Sequence, residues 1–418
     1  MKITNIEVFH TYAPLAERYR HVRARTGFEA RIGAKVTTDI GIIGYGDFDG
    51  VPPPPIETWD RVIDTNPFDY IGSNLHPAVV MALYDIMGKY LEVPVYKLIG
   101  QKLRDGVSCA AWCWGGPTRE ELATDVQRAV NDGYTIFKIH THPLEDLFEW
   151  TKAIEEVAPP GFKVHYDFTG RRGRTLGSIL SIVARLERDH PIVGFIEDPF
   201  DRTDIESWKV LRSRTQLPIV HGGGAELGGG QEALHGMADI YMMYPPIGDL
   251  IAQATTMGKL NLQVIFQLCG GTLAKAMAMH IACVMPTATG HSIHLDDQVD
   301  IDITRKKFPV VEGFSRVPEE PGLGFDVDEK LLYKYAANKP LEIPPYIGVV
   351  SLSGGRAIYS LGQPDLTQIT GREEGTMSNF RYERWFDDGS EKWAKAYERV
   401  GNDGWYVGAT DAGQNSDP

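Results

Sequence analysis

Cysteine is scarce in this chain: Cys109, Cys113, Cys269 and Cys283 are the four in 418 residues. They are too few and too scattered for a disulfide framework, and Cys109 and Cys113 lack the nearby histidines of a zinc-type set. Reduced, buried thiols in a cytoplasmic protein are the expectation. Long apolar runs are missing as well. No stretch approaches the ~20 residues that cross a bilayer, and the opening MKITNIEVFH has no apolar run of signal-peptide length. No membrane partner is expected. Nor is there a basic tract. The 42 Lys and Arg stand against 56 Asp and Glu, a formal net charge of -14, which leaves no nucleic-acid footprint and mainly favours solubility. A G-x-G-x-x-G turn after an early strand is also lacking, which weighs against a doubly wound nucleotide-binding sheet.

What is present divides into three stretches. Residues 1–106 open with KITNIEVF, which alternates as a half-buried strand does, and RIGAKVTTDIGIIGYGD adds two more strand-like runs. VPPPP (51–55) breaks regular structure, and HPAVVMALYDIMGKYLEVP has a helix's spacing with proline at both ends. This predicts an α+β domain. Residues 107–325 change pattern: SCAAWCW, TIFKIH, KVHYD, VGFIE, PIVH, DIYMMY, QVIFQ and HSIHL are short apolar strands alternating with amphipathic segments such as TREELATDVQRAVNDGY. Thr118 and Glu121 open that helix with a capping-box pattern. Such alternation predicts a parallel α/β barrel. Residues 326–418 leave the barrel; their aromatic-rich, charged sequence is too apolar for a free tail and is expected to pack on the body or on a neighbouring subunit, ending in a disordered ATDAGQNSDP.

Barrel chemistry sits at the C-terminal ends of strands. There the chain carries Lys138, His140 and His142, then Asp167 and Thr169, then Glu197 and Asp198, then His221 and glycines, then Gln267, then His294, Asp296 and Asp297. Strand alternation gives Lys138 and His140 one face. Asp167 and Glu197 stand on adjacent strands, about 5 Å apart laterally, and repel unless a cation or a proton lies between them. Hard oxygen ligands on rigid strands suit Mg²⁺. A Lys or His beside such a cation is what removal of a proton next to a carboxylate needs, the cation stabilising the resulting ene-diolate. Each residue has a plainer reading: a strand-end carboxylate capping the next helix, a snorkelling Lys138, a core His140. His142, before a proline, reads as loop decoration. Arg18, Arg20, Arg23 and Arg25 form a loop cluster that is either a solvated charged loop or a lid gripping an acidic substrate.

These residues resemble the enolase superfamily, in its mandelate racemase/muconate lactonizing enzyme branch. The resemblance is carried by ALYDIMGKYLEVPVYKLIGQKLRDGV, KVHYDFTG, FIEDPF and PGLGFDVDEKLL, and covers roughly residues 1–335. It implies a (β/α)₇β modified TIM barrel under an N-terminal α+β capping domain. It further implies Mg²⁺ or another divalent ion such as Mn²⁺, held by Asp167 and Glu197, and removal of a proton α to a substrate carboxylate. Departures are informative. The usual K-x-K of strand two is Lys138-x-His140, Thr169 replaces the common Asn, strand six lacks its acidic or lysine residue, Gln267 stands where racemases carry His, and His294 stands where Glu is usual. The racemase His–Asp dyad and the lysine pair of the lactonizing enzymes are both absent.

The family's third ligand follows the strand-five proline. In PIVHGGGAE that count lands on Gly222 and Gly223. Three outcomes are open: His221 faces the metal, which would favour a softer ion; Glu226 swings back through the flexible glycines; or the third ligand is lost. The expected function is a metal-dependent lyase dehydrating a sugar acid or related hydroxy acid. Lys138 or His140 would take the proton, His294 or the strand-two partner would protonate the leaving hydroxyl, and Arg18, Arg20, Arg25 and Gln267 would bind substrate. An isomerase (epimerase or cycloisomerase) shares the first step, and a binding barrel that has lost catalysis is the alternative of another class. A small carboxylic acid and other copies of the chain are the expected partners.

Overall fold

A computed structural model describes residues 1–16, 19, 30–50, 55–114, 118–170, 174–223, 230–340, 342–371 and 377–410. The chain opens with an antiparallel sheet, β1 (Ile3–Tyr12), β2 (Ala30–Thr38) and β3 (Ile43–Asp49), paired in that order. Helix α1 (Pro77–Tyr90) starts on a proline at a position where no amide hydrogen is needed. Its residues from Ala78 to Gly88 are all buried, because it lies between this sheet and the barrel. The approach to β3 is so close that a Cβ on Gly46 would stand 2.0 Å from the Ala78 carbonyl oxygen, and one on Gly44 2.1 Å from that of Ala82. Only glycine fits at either place.

The barrel strands are β4 (Gly106–Trp114), β5 (Ile136–His140), β6 (Lys163–Asp167), β7 (Val193–Glu197), β8 (Ile219–His221), β9 (Ile240–Met243), β10 (Gln263–Phe266) and β11 (Ser292–Ile293). They are parallel, and the sheet order β10-β9-β8-β7-β6-β5-β4-β11 ends on two strands consecutive in the chain, as a (β/α)₇β barrel requires. Helices α2 (Arg119–Asn131), α3 (Leu147–Val157), α4 (Leu176–Asp189), α5 (Ile205–Arg214), α6 (Gln231–Leu234), α7 (Ile247–Lys259) and α8 (Thr272–Ala282) connect them. The Thr118–Glu121 capping box forms as the sequence suggests. A further strand, β12 (Phe314–Arg316), pairs antiparallel with β4. Helix α9 (Glu329–Ala337) returns to the first sheet, where Tyr333 meets Phe9 edge-on at 5.4 Å.

The capping sheet is keyed to the barrel by charge. Asp47 of β3 accepts from the free amides of Gly271 (3.0 Å) and Ala274 (2.8 Å) at the start of α8, and Asp302 accepts from that of Thr272 (2.7 Å). Arg31 of β2 donates to the Leu295 carbonyl at 2.5 Å. Beyond α9, β13 (Tyr346–Leu352), β14 (Arg356–Leu361), α10 (Leu366–Thr370), β15 (Phe380–Phe386), α11 (Glu391–Asp403) and β16 (Trp405–Ala409) build an antiparallel sheet of order β15-β13-β14-β16. Among the described residues no helix is long and apolar enough to cross a membrane. The Pro-rich loop at 51–54 and the tail after 410 lie outside the described residues.

Buried neutral histidines are expected to make this fold acid-sensitive. Burial pushes His280 down from 6.5 to about 4, against the favourable Leu323 carbonyl, and burial with the Lys275 charge takes His294 to about 3. The unfolded chain therefore binds protons that the folded chain refuses. This stability is complete above pH 6.5 and is lost as pH falls toward 4 and 3. The melting temperature is expected to drop across that window. His280→Gln, which keeps a donor for Leu323 but does not titrate, is expected to make the drop shallower.

Candidate active site

The site is built at the C-terminal tips of β5, β6 and β7, whose register places His140, Asp167 and Glu197 side by side. Asp167 and Glu197 share the interior, as strand alternation requires. Behind them Lys138, fully buried, sends its ammonium to both Glu197 oxygens at 2.7 Å and to Asp167 at 3.1 Å. His140 Nε2 lies 3.1 Å from Asp167 Oδ2, and its ring stands edge-on to Trp112 at 5.3 Å.

A third carboxylate, Asp198, joins them, to which strand alternation assigns no role. Asp198 follows Glu197, so alternation alone would turn it outward. Its backbone is left-handed (φ 46), a conformation costing about 1–2 kcal/mol outside glycine, and its carboxylate comes to lie beside those of Asp167 and Glu197. Asp167, Glu197 and Asp198 are all buried and offer oxygens within 4.8 Å of one another. Asp198 is itself fixed by the Gly222 amide (2.8 Å) and by Arg202, whose Nε and Nη2 reach one oxygen at 2.8 and 2.5 Å. The only signal in the sequence is the proline after Asp198, which disfavours right-handed helical geometry there.

The electrostatics follow. Burial opposes ionisation of Asp167, yet the neighbouring His140 and Lys138 outweigh it and hold this carboxyl below the usual range. Burial and the Asp167 charge push Glu197 well above that range. Lys138 is disfavoured by burial, but Asp167 and Glu197 keep it protonated. Three carboxylates are thus crowded so closely that Asp167 raises Glu197, a repulsion that a cation placed between them would relieve.

The cavity, about 280 Å³, is lined by His140, Asp167, Thr169, Glu197, Arg202, Gly222, Gly223, Tyr244 and Gln267. Among the described residues its far wall carries no basic side chain. Burial, with the Asp49 charge, keeps the Tyr244 phenol protonated and pushes the Cys269 thiol up to about 12. Gln267 stands on that wall and donates to Cys269 at 3.4 Å.

Two sequence expectations are corrected by the geometry. His221 does not face Asp167 and Glu197. Val220 takes the inward position with Phe195, Ile240, Met242 and Ile265, so His221 turns out against Trp208 (4.9 Å), with its two ring nitrogens each 3.2 Å from a carbonyl oxygen, that of Gly223 and that of Arg202. The inward residue is Gly222, where a Cβ would stand 2.6 Å from Asp198 and 2.7 Å from Glu197. His294 likewise misses the mouth. Leu295 packs inward with Trp112 and Cys269, and His294 sits among the charges of Lys275 and Asp296. Lys138 is brought to the site but lies beneath it, off the cavity wall. Arg18, Arg20, Arg23, Arg25 and Glu226 lie outside the described residues.

Comparison with known proteins bears on this site. The family model for the enolase C-terminal domain-like fold matches residues 121–234 and 246–331. A D-galactonate dehydratase of Pectobacterium atrosepticum is 24% identical over 361 residues, 73% of this chain and 91% of that one. A D-gluconate dehydratase of Thermoproteus tenax is 28% identical over 291 residues, 64% of this chain and 57% of that one. The crystal structure of a dipeptide epimerase from Cytophaga hutchinsonii, complexed with Mg and a dipeptide, superposes with a TM-score of 0.67 at 18% identity, covering 80% of this chain and 98% of that one. About a fifth of this chain therefore lies outside the fold it shares with that structure.

Proposed function

We infer that this chain, which belongs to the enolase superfamily in its mandelate racemase/muconate lactonizing enzyme branch, is a divalent-metal-dependent lyase that removes water from a sugar acid. The sugar-acid dehydratases among its relatives support the class. The observation that carries the choice of lyase is the one-sidedness of the site. Among the described residues, the base on the cavity wall is His140, while Tyr244 and Gln267 face it. Exchanging a proton between two faces of a carbon needs a base on each side. Elimination needs one group that first accepts and then donates.

His140 is the group proposed to take the α-proton, held in place by Asp167 and Trp112. Carrying that proton, it is next to the leaving β-hydroxyl and hands it back, so that hydrogen and hydroxide depart together as water. A 2,3-dihydroxy acid would give an enol that settles as the 3-deoxy-2-oxo acid. Lys138 is assigned the balancing of Asp167 and Glu197 rather than contact with substrate. The residues proposed to hold the cation are Asp167, Glu197 and Asp198, and their hard, buried oxygens fit Mg²⁺ or Mn²⁺. When bound, that ion supplies the positive charge that makes a proton beside a carboxylate removable.

Arg202 is the permanent cation on the cavity wall among the described residues, and Asp198 orients its planar fork. We assign it the substrate carboxylate, with Gln267 bonding a hydroxyl. Replacing Arg202 by Met is expected to raise KM roughly ten- to a hundredfold, the size of a lost hydrogen bond to a charged group. Steady-state kinetics would check it; an unchanged KM would remove Arg202 from the substrate. The reading as a whole is tested by incubating the Mg²⁺-supplemented protein with a panel of sugar acids and assaying 2-oxo acid formation. Release of α-deuterium without 2-oxo acid would favour an isomerase.

A further inference from the structure

The strand that carries His140 ends on that residue, and the turn at residues 141–146 follows at once. Turns at strand ends are where a barrel is least constrained. This one is gripped from two sides. Inside, the Thr141 amide donates to the Asp167 carbonyl at 2.9 Å. Outside, the grip comes from the C-terminal sheet, which lies beyond the family match ending at residue 331.

That sheet has two apolar faces. One is closed by its own helix α11, whose Trp393, Ala396 and Val400 cover Ile347, Val349, Ala357 and Tyr359. The other carries Val350 and Ile358 with Leu366 of α10, and the side chain buried among them is Leu144 of the barrel turn. Polar contacts flank this plug. The His142 ring meets the Gln363 amide at 2.7 Å, and the Asn379 amide donates to the Asp146 carboxylate at 2.9 Å. Asp146 also caps α3 through the Glu149 amide at 3.3 Å. His142 thus belongs to a docking surface.

We propose that the C-terminal sheet is a positioning element for the active site: by seating Leu144 against Val350 and Ile358 it fixes the 141–146 turn and so the placement of His140. The proposal rests on His140 being the base. The physical stake is large for a small movement, because misplacing a reacting group by about 1 Å costs on the order of a hundredfold in rate.

The test uses the full chain with Mg²⁺ and the sugar acid it dehydrates, comparing Leu144→Ala, Leu144→Met, Val350→Ala and the milder Gln363→Ala. Loosening the seat from either side is expected to lower kcat and α-proton exchange by about tenfold or more, with KM and Mg²⁺ affinity within about twofold. Leu144→Met is expected to stay close to the parent. The ¹⁵N-histidine spectrum, with the His140 signal assigned by its loss in His140→Gln, is expected to shift in Val350→Ala and Gln363→Ala. Because that spectrum needs no turnover, a parent protein inactive on every acid would defeat the functional reading while the spectrum still decided the positioning role. Unchanged kcat together with an unmoved His140 signal in the seat variants would overturn the proposal, and so would an equal loss in kcat and Mg²⁺ affinity.

Discussion

Replacing His140 with glutamine is expected to lower kcat by roughly 10²- to 10⁴-fold, the range for loss of a positioned general base. The fold and the cation site are expected to survive. Glutamine can still donate to Asp167, which His140 approaches at 3.1 Å, so the carboxylate keeps a partner. What glutamine lacks is a nitrogen that accepts a proton and returns it. Both halves of the elimination should therefore fail together, and α-deuterium exchange in D₂O should fall as far as dehydration does. KM should move little, since Arg202 and Gln267 remain. A variant that still exchanged the α-deuterium at the parent rate would transfer the role of base to another group.

Replacing Lys138 with methionine is expected to have the largest effect on stability. The ammonium is fully buried and touches Asp167 and Glu197. Removing one partner of such a cluster leaves uncompensated buried charge and costs about 3–5 kcal/mol. The burial and neighbouring charge that already push Glu197 up mean that the variant should answer in part by taking up a proton. Its deficit should therefore widen as pH rises. A divalent cation, drawn by the same three carboxylates, should restore more stability to Lys138→Met than it adds to the parent. Thermal melts with and without Mg²⁺ at two pH values check both points. A variant as stable as the parent in chelator would show that Lys138 does not balance the site.

Much of this arrangement was readable from strand ends. The eight short apolar runs mark the barrel strands, and the register follows from their regular spacing, so Asp167 and Glu197 meet as adjacent inward residues do. Parity is ambiguous where two neighbouring residues could both face inward. In PIVH the inward side chain is Val220, because it completes the apolar floor with Phe195 and Ile240; that turns His221 onto Trp208. In HSIHL it is Leu295 that closes against Trp112 and Cys269, which turns His294 away. Asp198 was unreadable for the opposite reason: a single left-handed residue suspends alternation, and no periodicity records it. The docking of Leu144 depends on contacts between residues about 200 positions apart in sequence, which local pattern does not encode.

The proposed chemistry requires that Asp167, Glu197 and Asp198 jointly hold a divalent cation beside His140. Calorimetric titration of the chelator-treated protein with Mg²⁺ tests it most directly, run beside Glu197→Gln, which removes one charge without removing volume. The account expects one site per chain in the parent and at least a tenfold weaker one in the variant, a change of about 1.4 kcal/mol. Equal binding by both proteins, or no binding by the parent with Mg²⁺ or Mn²⁺, would contradict it.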